Sequence, residues 1–102
     1  MKVGFSLEWS ELMLRGVEIL FSGRVQGVGF RYAAKQLSRR FSVLGTIENL
    51  SDGRVRLLME GEFKEIEGFL EALLENNNGA VTDAERIGKP CRGEFSGFEI
   101  IG

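Results

Sequence analysis

Residues 17–31 read Val-Glu-Ile-Leu-Phe-Ser-Gly-Arg-Val-Gln-Gly-Val-Gly-Phe-Arg, and this stretch decides the fold. Its first part, up to Ser22, alternates apolar and polar side chains for most of its length, which predicts a β-strand. A helical pattern begins at its end, near Arg31. A glycine-rich turn that leads into a helix presents free backbone N–H groups at the positive end of the helix dipole. The stretch therefore predicts a small anion site, most naturally for phosphate.

Two polar side chains accompany this turn. Arg31 offers a planar fork of donors that a lysine could not reproduce. Asn49 ends the next predicted strand and is followed by turn residues, Ser51-Asp52-Gly53, whose glycine can take a positive φ. Both side chains are therefore candidate site residues.

Apolar spacing outward from this stretch predicts the remaining elements. The first helix extends to Phe41, where its apolar stripe ends. After it come a strand at 43–49, a strand that includes 55–60, a helix over about 63–75, a strand at 81–87 and a short strand at 98–101.

The resulting order, β-α-β-β-α-β with a short extra strand, predicts an α+β fold. Two helices must then cover one face of an antiparallel sheet. Right-handed crossovers favour the strand order 4-1-3-2. Because the ends of strands one and two then open on the same edge, we expect Arg31 and Asn49 to meet there.

The composition limits the classes of protein that fit. The 102 residues suit one domain, and a formal net charge of −2 argues against bulk attraction to nucleic acid. No apolar run approaches the ~20 residues that span a bilayer, so we expect no membrane segment. The chain has no histidine, which excludes histidine bases and ligands, and its single cysteine, Cys91, favours a reducing cytoplasm.

Residues 1–15 read as an extension in front of a domain at 16–102. Phe5, Trp9, Leu12 and Met13 fall on one face of a helix. Because short helices nucleate weakly, the simplest expectation is a short helix or a disordered tail laid on the domain. The alternatives are a helix that docks a partner and a dimer formed through the Trp9 face.

Two sequence blocks resemble the signature of the acylphosphatases. The first is Val25-Gln-Gly-Val-Gly-Phe-Arg31, and the second combines Gly45-Thr-Ile-Glu-Asn49 with Asp52-Gly53-Arg-Val55. The similarity covers residues 16–102. It implies a ferredoxin-like two-layer sandwich and hydrolysis of the carboxyl–phosphate bond of small acyl phosphates to a carboxylate and inorganic phosphate. It also implies a monomer that uses no metal and forms no phosphoenzyme, so we expect no cofactor.

Carried over by position, the resemblance implies a role for each candidate site residue. Arg31 grips the phosphoryl group, and Asn49 holds the attacking water. The backbone N–H groups that cradle the phosphate belong to Gln26, Gly27, Val28, Gly29 and Phe30.

The chain departs from the family pattern at two places. The family often has Leu-Gly where this chain has Phe41-Ser42. A serine with positive φ at that position would cost on the order of 1 kcal/mol relative to glycine. Many members also have proline where Ser51 stands. Neither departure touches the chemistry, so each concerns local stability.

Two other functions fit parts of the sequence. A stand-alone domain could bind phosphate without turnover, since similar domains occur at the front of hydrogenase-maturation proteins that handle carbamoyl phosphate. RNA binding through the sheet is the other, although the string Gly29-Phe-Arg-Tyr32 falls at a loop–helix junction and not on a sheet face. Hydrolysis of an acyl phosphate without added metal would favour the enzyme, and salt-dependent RNA retention would favour the RNA binder.

Overall fold

The computed structural model describes residues 14–27, 29–77 and 79–102. Within them the chain forms β1 Leu14–Gly23, α1 Phe30–Ser38, β2 Val43–Asn49, β3 Val55–Glu62, α2 Phe63–Asn76, β4 Val81–Lys89 and β5 Phe98–Ile100. This order confirms the predicted β-α-β-β-α-β pattern with a short extra strand. The helix or tail expected in residues 1–13 lies outside the described residues and stays a prediction.

The strands form a five-stranded sheet in the order β4-β1-β3-β2-β5. β1 is antiparallel to β3 and β4, and β2 is antiparallel to β3, so the predicted order 4-1-3-2 is confirmed. The short extra strand, β5, pairs parallel to β2 at one edge, so the sheet as a whole is mostly antiparallel. This direction matters for the site, since it places the end of β5 beside the end of β2.

Both helices pack on one face of the sheet and share one core with it. The aromatic centre of this core is Phe69 of α2, which is fully buried. Its ring centroid lies 6.1 Å from that of Phe41 and 5.7 Å from that of Phe98. Phe41 also covers Gly68, where an added Cβ would come within 2.8 Å of the ring. Close packing thus explains a glycine that weakens helix α2.

Phe69→Ala should destabilise the fold strongly. Removal of a fully buried phenylalanine loses its burial and leaves a cavity, at a cost of about 3–5 kcal/mol. Phe63→Ala is the matched control in the same helix, because that side chain is 50% exposed; its effect should stay within about 1 kcal/mol. Urea denaturation measures both free energies, and equal losses would contradict this placement of the core.

The first strand is longer than predicted. It begins at Leu14 and not at Val17, because Leu14 and Arg15 pair with the end of β3, at Glu62 and Gly61. The strand therefore takes in two residues of the predicted extension, Leu14 and Arg15.

The first helix is shorter than predicted. It ends at Ser38, and residues 39–42 form turns that carry Phe41 into the core. In the described part of the chain only glycines have a positive φ. The backbone cost considered for Ser42 therefore does not arise.

Candidate active site

The connection between β1 and α1 is a tight loop that is fastened at both ends. Val25 and Phe30 are each 1% exposed. Phe30 packs edge-on against Phe21, with ring centroids 5.1 Å apart. Between the two buried residues, Gly27 and Gly29 have φ values of 75° and 80°, a region that residues with a Cβ rarely adopt. The two glycines thus let the backbone turn sharply into the helix.

Helix α1 begins directly after this loop. Gly29 is its N-cap, the Gly29 carbonyl accepts the N–H of Ala33 at 2.9 Å, and no described side chain caps the helix. The N–H groups of the first three helical residues therefore have no acceptor within the helix. With the positive end of the dipole they suit an anion. Val28 lies outside the described residues, so its part in the cradle stays a prediction.

The side chain of Gln26 ties the loop to the β2–β3 turn. Its Nε2 donates to the carbonyl oxygens of Leu50 and Arg54, each at 2.8 Å. The amide group has two hydrogens, and these two bonds use both. Of the donors of Gln26, only the backbone N–H remains available to the predicted cradle.

Arg31 and Asn49 meet at the backbone of Gly102. The guanidinium Nη1 of Arg31 donates to the carbonyl oxygen of Gly102. The backbone N–H of Asn49 donates to the same oxygen at 3.1 Å. β5 leads the chain to this point, where the N–H of Ile101 donates to the carbonyl of Ile47 at 3.0 Å. The two candidate residues thus share one edge of the sheet, as the strand order predicts, while their roles stay predictions.

Asn49 also carries a polar atom without a partner. Its Oδ1 is buried, and among the residues that the structure describes it has no hydrogen-bond donor. A buried acceptor left unpaired costs about 1–3 kcal/mol, and such atoms are rare in folded proteins. This oxygen is available to accept a hydrogen bond from a ligand.

A cavity of about 120 Å³ lies over the loop and the start of α1. Its lining consists of Val25, Gly27, Gly29, Phe30, Arg31, Tyr32 and Ile100. Gln26 and Asn49 lie outside this lining. Gln26 stands in the chain between the lining residues Val25 and Gly27, and Asn49 is linked to Arg31 through the oxygen of Gly102. A larger cavity of about 300 Å³ lies at the opposite end of the sheet, around Gly16, Glu60 and Lys89. We assign the site to the smaller cavity, because the free N–H groups and Arg31 are there.

The β2–β3 turn is held by its own side chains. One carboxylate oxygen of Asp52 accepts the backbone N–H of Arg54 at 3.0 Å, and the other accepts Nε of Arg54 at 2.9 Å. The backbone bond is the largest cause that lowers the pKa of Asp52 below its ordinary value. Gly53 has a φ of 94°. Asp52 and Gly53 are thus turn residues, as the sequence analysis predicts.

Three residues at the site were not predicted from the sequence. Tyr32 follows Arg31 in the first helical turn and is 66% exposed; its position beside the loop was the available signal. Ile100 reaches the cavity through the parallel pairing of β5 with β2. Gly102 takes part through its backbone carbonyl, which has no signature in a sequence.

Two further observations concern metals and membranes. In residues 14–27, 29–77 and 79–102, no three His, Cys, Asp or Glu side chains lie close enough together to hold a metal ion. No helix in the same ranges is both long and apolar enough to cross a membrane.

The fold and the site define a class of protein. A two-layer α+β sandwich of the ferredoxin-like type carries a glycine-rich loop with free N–H groups at the start of its first helix, with an arginine in the first helical turn. Such a site suits phosphoryl chemistry, because that chemistry needs positioned donors and positive charge.

Comparisons with known proteins give the family. The acylphosphatase family model matches residues 17–100. An acylphosphatase of Roseiflexus sp. (strain RS-1) is 39% identical over 85 residues, which cover 81% of this chain and 90% of the relative. The crystal structure of acylphosphatase from Bacillus subtilis matches with a TM-score of 0.76 and 34% identity, and covers 88% of this chain and 100% of that one. The chain belongs to the acylphosphatase family and is a hydrolase of acyl phosphates.

A longer protein contains a similar domain. The structure of full-length HypF in its phosphate- and nucleotide-bound form matches with a TM-score of 0.80 and 28% identity. The match covers 89% of this chain and 12% of that protein. The fold thus also occurs as a small part of a larger chain.

Proposed function

We propose that Arg31 and the β1–α1 loop hold the phosphoryl group of an acyl phosphate while Asn49 holds the attacking water. The observation that carries this proposal is the shared contact at Gly102, which joins the guanidinium of Arg31 to the backbone of Asn49. One residue has a positive charge and the other an amide group. Hydrolysis of an activated phosphate requires both groups, because the charge stabilises the phosphoryl oxygens and the amide orients the water.

The loop and Arg31 stabilise the charge of the phosphoryl group. That charge is spread over three equatorial oxygens, so catalysis depends mainly on positioning and electrostatics. The cradle is formed by the backbone N–H groups of Gln26, Gly27, Val28, Gly29 and Phe30. Arg31 exchanges its bond to the Gly102 oxygen for bonds to two phosphate oxygens. The exchange is favourable because a planar guanidinium can bind two oxygens of one phosphate at once.

Asn49 orients the water. Its Oδ1, which is buried and without a described donor, accepts one O–H, and its Nδ2 can donate to the water oxygen. The water oxygen bonds to phosphorus as the bond from phosphorus to the acyl oxygen breaks. The electron pair of the broken bond leaves with the carboxylate, and the protons of the water remain with the product phosphate. Because a carboxylate is a good leaving group, the reaction needs no strong general acid.

The proposal also covers the metal requirement, the oligomeric state, the binding partners and the cellular location of the protein. Arg31 and the loop N–H groups supply the positive charge, so we propose a reaction without metal or cofactor. We also propose a monomer in the cytoplasm that binds neither nucleic acid nor membranes. The free thiol of Cys91 suits a reducing compartment. Light scattering of the purified chain measures the oligomeric state, and a dimer would contradict that part.

Hydrolysis of benzoyl phosphate in excess EDTA tests the proposed function. We expect turnover that EDTA leaves unchanged and that inorganic phosphate inhibits by competition. A phosphomonoester such as p-nitrophenyl phosphate is the matched control, and we expect much slower hydrolysis because its leaving group is poorer. Phosphate binding without turnover would support a binding module instead. Loss of turnover in EDTA would contradict the metal-free mechanism.

A further inference from the structure

Gln26 makes a connection that the proposed mechanism does not use. Its half-buried amide donates to the carbonyl oxygens of Leu50 and Arg54, each at 2.8 Å. These partners lie 24 and 28 residues further along the chain. The side chain therefore links the anion loop to a separate hairpin.

Both acceptors close the β2–β3 turn. The carbonyl of Leu50 accepts the N–H of Gly53 at 3.2 Å, and the carbonyl of Arg54 accepts the N–H of Leu50 at 2.8 Å. A carbonyl oxygen has two lone pairs, so the amide of Gln26 adds a second bond to each. It thereby fixes the turn at the two points that close it.

This turn begins directly after Asn49. Asn49 is the last residue of β2 and lies opposite Val55 of β3. A shift of the turn relative to the loop would therefore change the distance between the amide of Asn49 and an anion held by the loop. A misplacement of about 1 Å can cost about 10²-fold in rate.

We infer that Gln26 is a positioning residue, whose side chain sets the distance between the anion loop and Asn49 without touching the phosphate. The inference rests on the functions proposed for the loop and for Asn49. Loss of this side chain leaves the backbone cradle and Arg31 in place. It should therefore lower kcat much more than it lowers the affinity for phosphate.

The chemistry of the side chain separates this role from simple packing. Leucine is apolar, ends one bond short of the glutamine amide nitrogen, and has no donor. Ionised glutamate has the shape of glutamine but only acceptors, which would face the carbonyls of Leu50 and Arg54. Protonated glutamate regains one donor. Gln26→Glu should therefore recover part of its activity as the pH falls.

Kinetics of Gln26→Leu and Gln26→Glu test the inference. With benzoyl phosphate we expect kcat of Gln26→Leu to fall roughly 10-fold or more, within the ~10²-fold range of misplacement, with phosphate inhibition nearly unchanged. For Gln26→Glu, kcat relative to the parent should be higher at about pH 5 than at about pH 8, because partial burial raises the pKa of a carboxyl. Asp52 and Arg54 on the facing turn pair with each other, and their own titration is common to both proteins and drops out of this ratio.

The matched controls use Gln36, an exposed glutamine of α1 whose Oε1 accepts a bond from Arg39. Gln36→Leu should keep the kcat of the parent, and Gln36→Glu should show a flat ratio with pH. Thermal melting checks that each variant is folded. Gln26→Glu keeps the size of the native side chain, so the pH test does not depend on the leucine variant.

Hydrogen exchange separates this inference from the proposed function. The N–H groups of Leu50 and Gly53 should exchange faster in Gln26→Leu than in the parent, whether or not the parent has turnover. A parent that does not hydrolyse benzoyl phosphate overturns the proposed function. Unchanged exchange at the turn overturns the inference. So does parental kcat in folded Gln26→Leu, or a ratio for Gln26→Glu that does not vary with pH.

Discussion

Arg31→Ala should lower kcat/KM for benzoyl phosphate by ~10³-fold or more, by comparison with other arginines that stabilise phosphoryl transfer. Arg31 lies in the first turn of α1. Its guanidinium contributes a positive charge and further donors in addition to the free N–H groups at the start of the helix. The substitution removes the charge and all the donors of the guanidinium, whereas the backbone of the loop is unchanged. Steady-state kinetics measures the loss, and thermal melting shows whether the variant is folded.

Two variants make this prediction specific. Arg31→Lys keeps the charge but should also fail, because an ammonium group is a point charge and does not replace a planar fork. Arg39→Ala removes an exposed arginine just after the same helix, whose contact is the side chain of Gln36, and should keep parental kinetics. Near-parental turnover in Arg31→Lys would contradict the bidentate contact. Near-parental turnover in Arg31→Ala would contradict the assignment of the site.

Asn49→Ala should lower kcat by about 10²-fold or more, since a water that is not oriented attacks from the wrong position. Inorganic phosphate should still inhibit at nearly the parental concentration, because the loop and Arg31 are unchanged. The backbone N–H that donates to Gly102 also remains. Turnover and phosphate inhibition, measured on the same preparation, separate the two effects.

The control for this variant is Asn76→Ala, at the exposed end of α2. This variant removes the same carboxamide group from a residue outside the proposed site and should leave kcat unchanged. Comparable turnover in Asn49→Ala and the parent would reject the role in water orientation. A loss of phosphate affinity equal to the loss in kcat would make Asn49 a phosphate ligand instead.

The parts of the fold that follow from local patterns were predicted well. β2 has the predicted bounds, Val43–Asn49. The order 4-1-3-2 follows from the handedness of crossovers and is confirmed. Local patterns gave the wrong bounds for an element where strand pairing or tertiary packing determines where that element begins or ends. Leu14 and Arg15 are in a strand because the end of β3 lies beside them, and Phe41 keeps helical spacing although it belongs to a turn.

At the candidate site, too, some features could be predicted from the sequence and others could not. The sequence predicts that Arg31 and Asn49 share an edge, because a strand order can be derived from the order of elements. It could not predict that they meet at Gly102, since that contact depends on the parallel pairing of β5 and on a backbone carbonyl. The side-chain bonds of Gln26 were equally hidden, because their partners are carbonyl oxygens of the β2–β3 turn.

The proposed site binds one phosphate between the loop and Arg31, with the side chain of Asn49 beside it. A titration of the isotope-labelled protein with inorganic phosphate, followed by ¹H–¹⁵N NMR, tests it most directly. We expect the largest shifts at the N–H groups of Gly27, Gly29, Phe30 and Arg31 and at the side-chain amide of Asn49, all with one Kd. Shifts confined to the other end of the sheet, around Lys89 and Arg92, or no saturable shifts at the loop, would show that the phosphate does not bind at the β1–α1 loop.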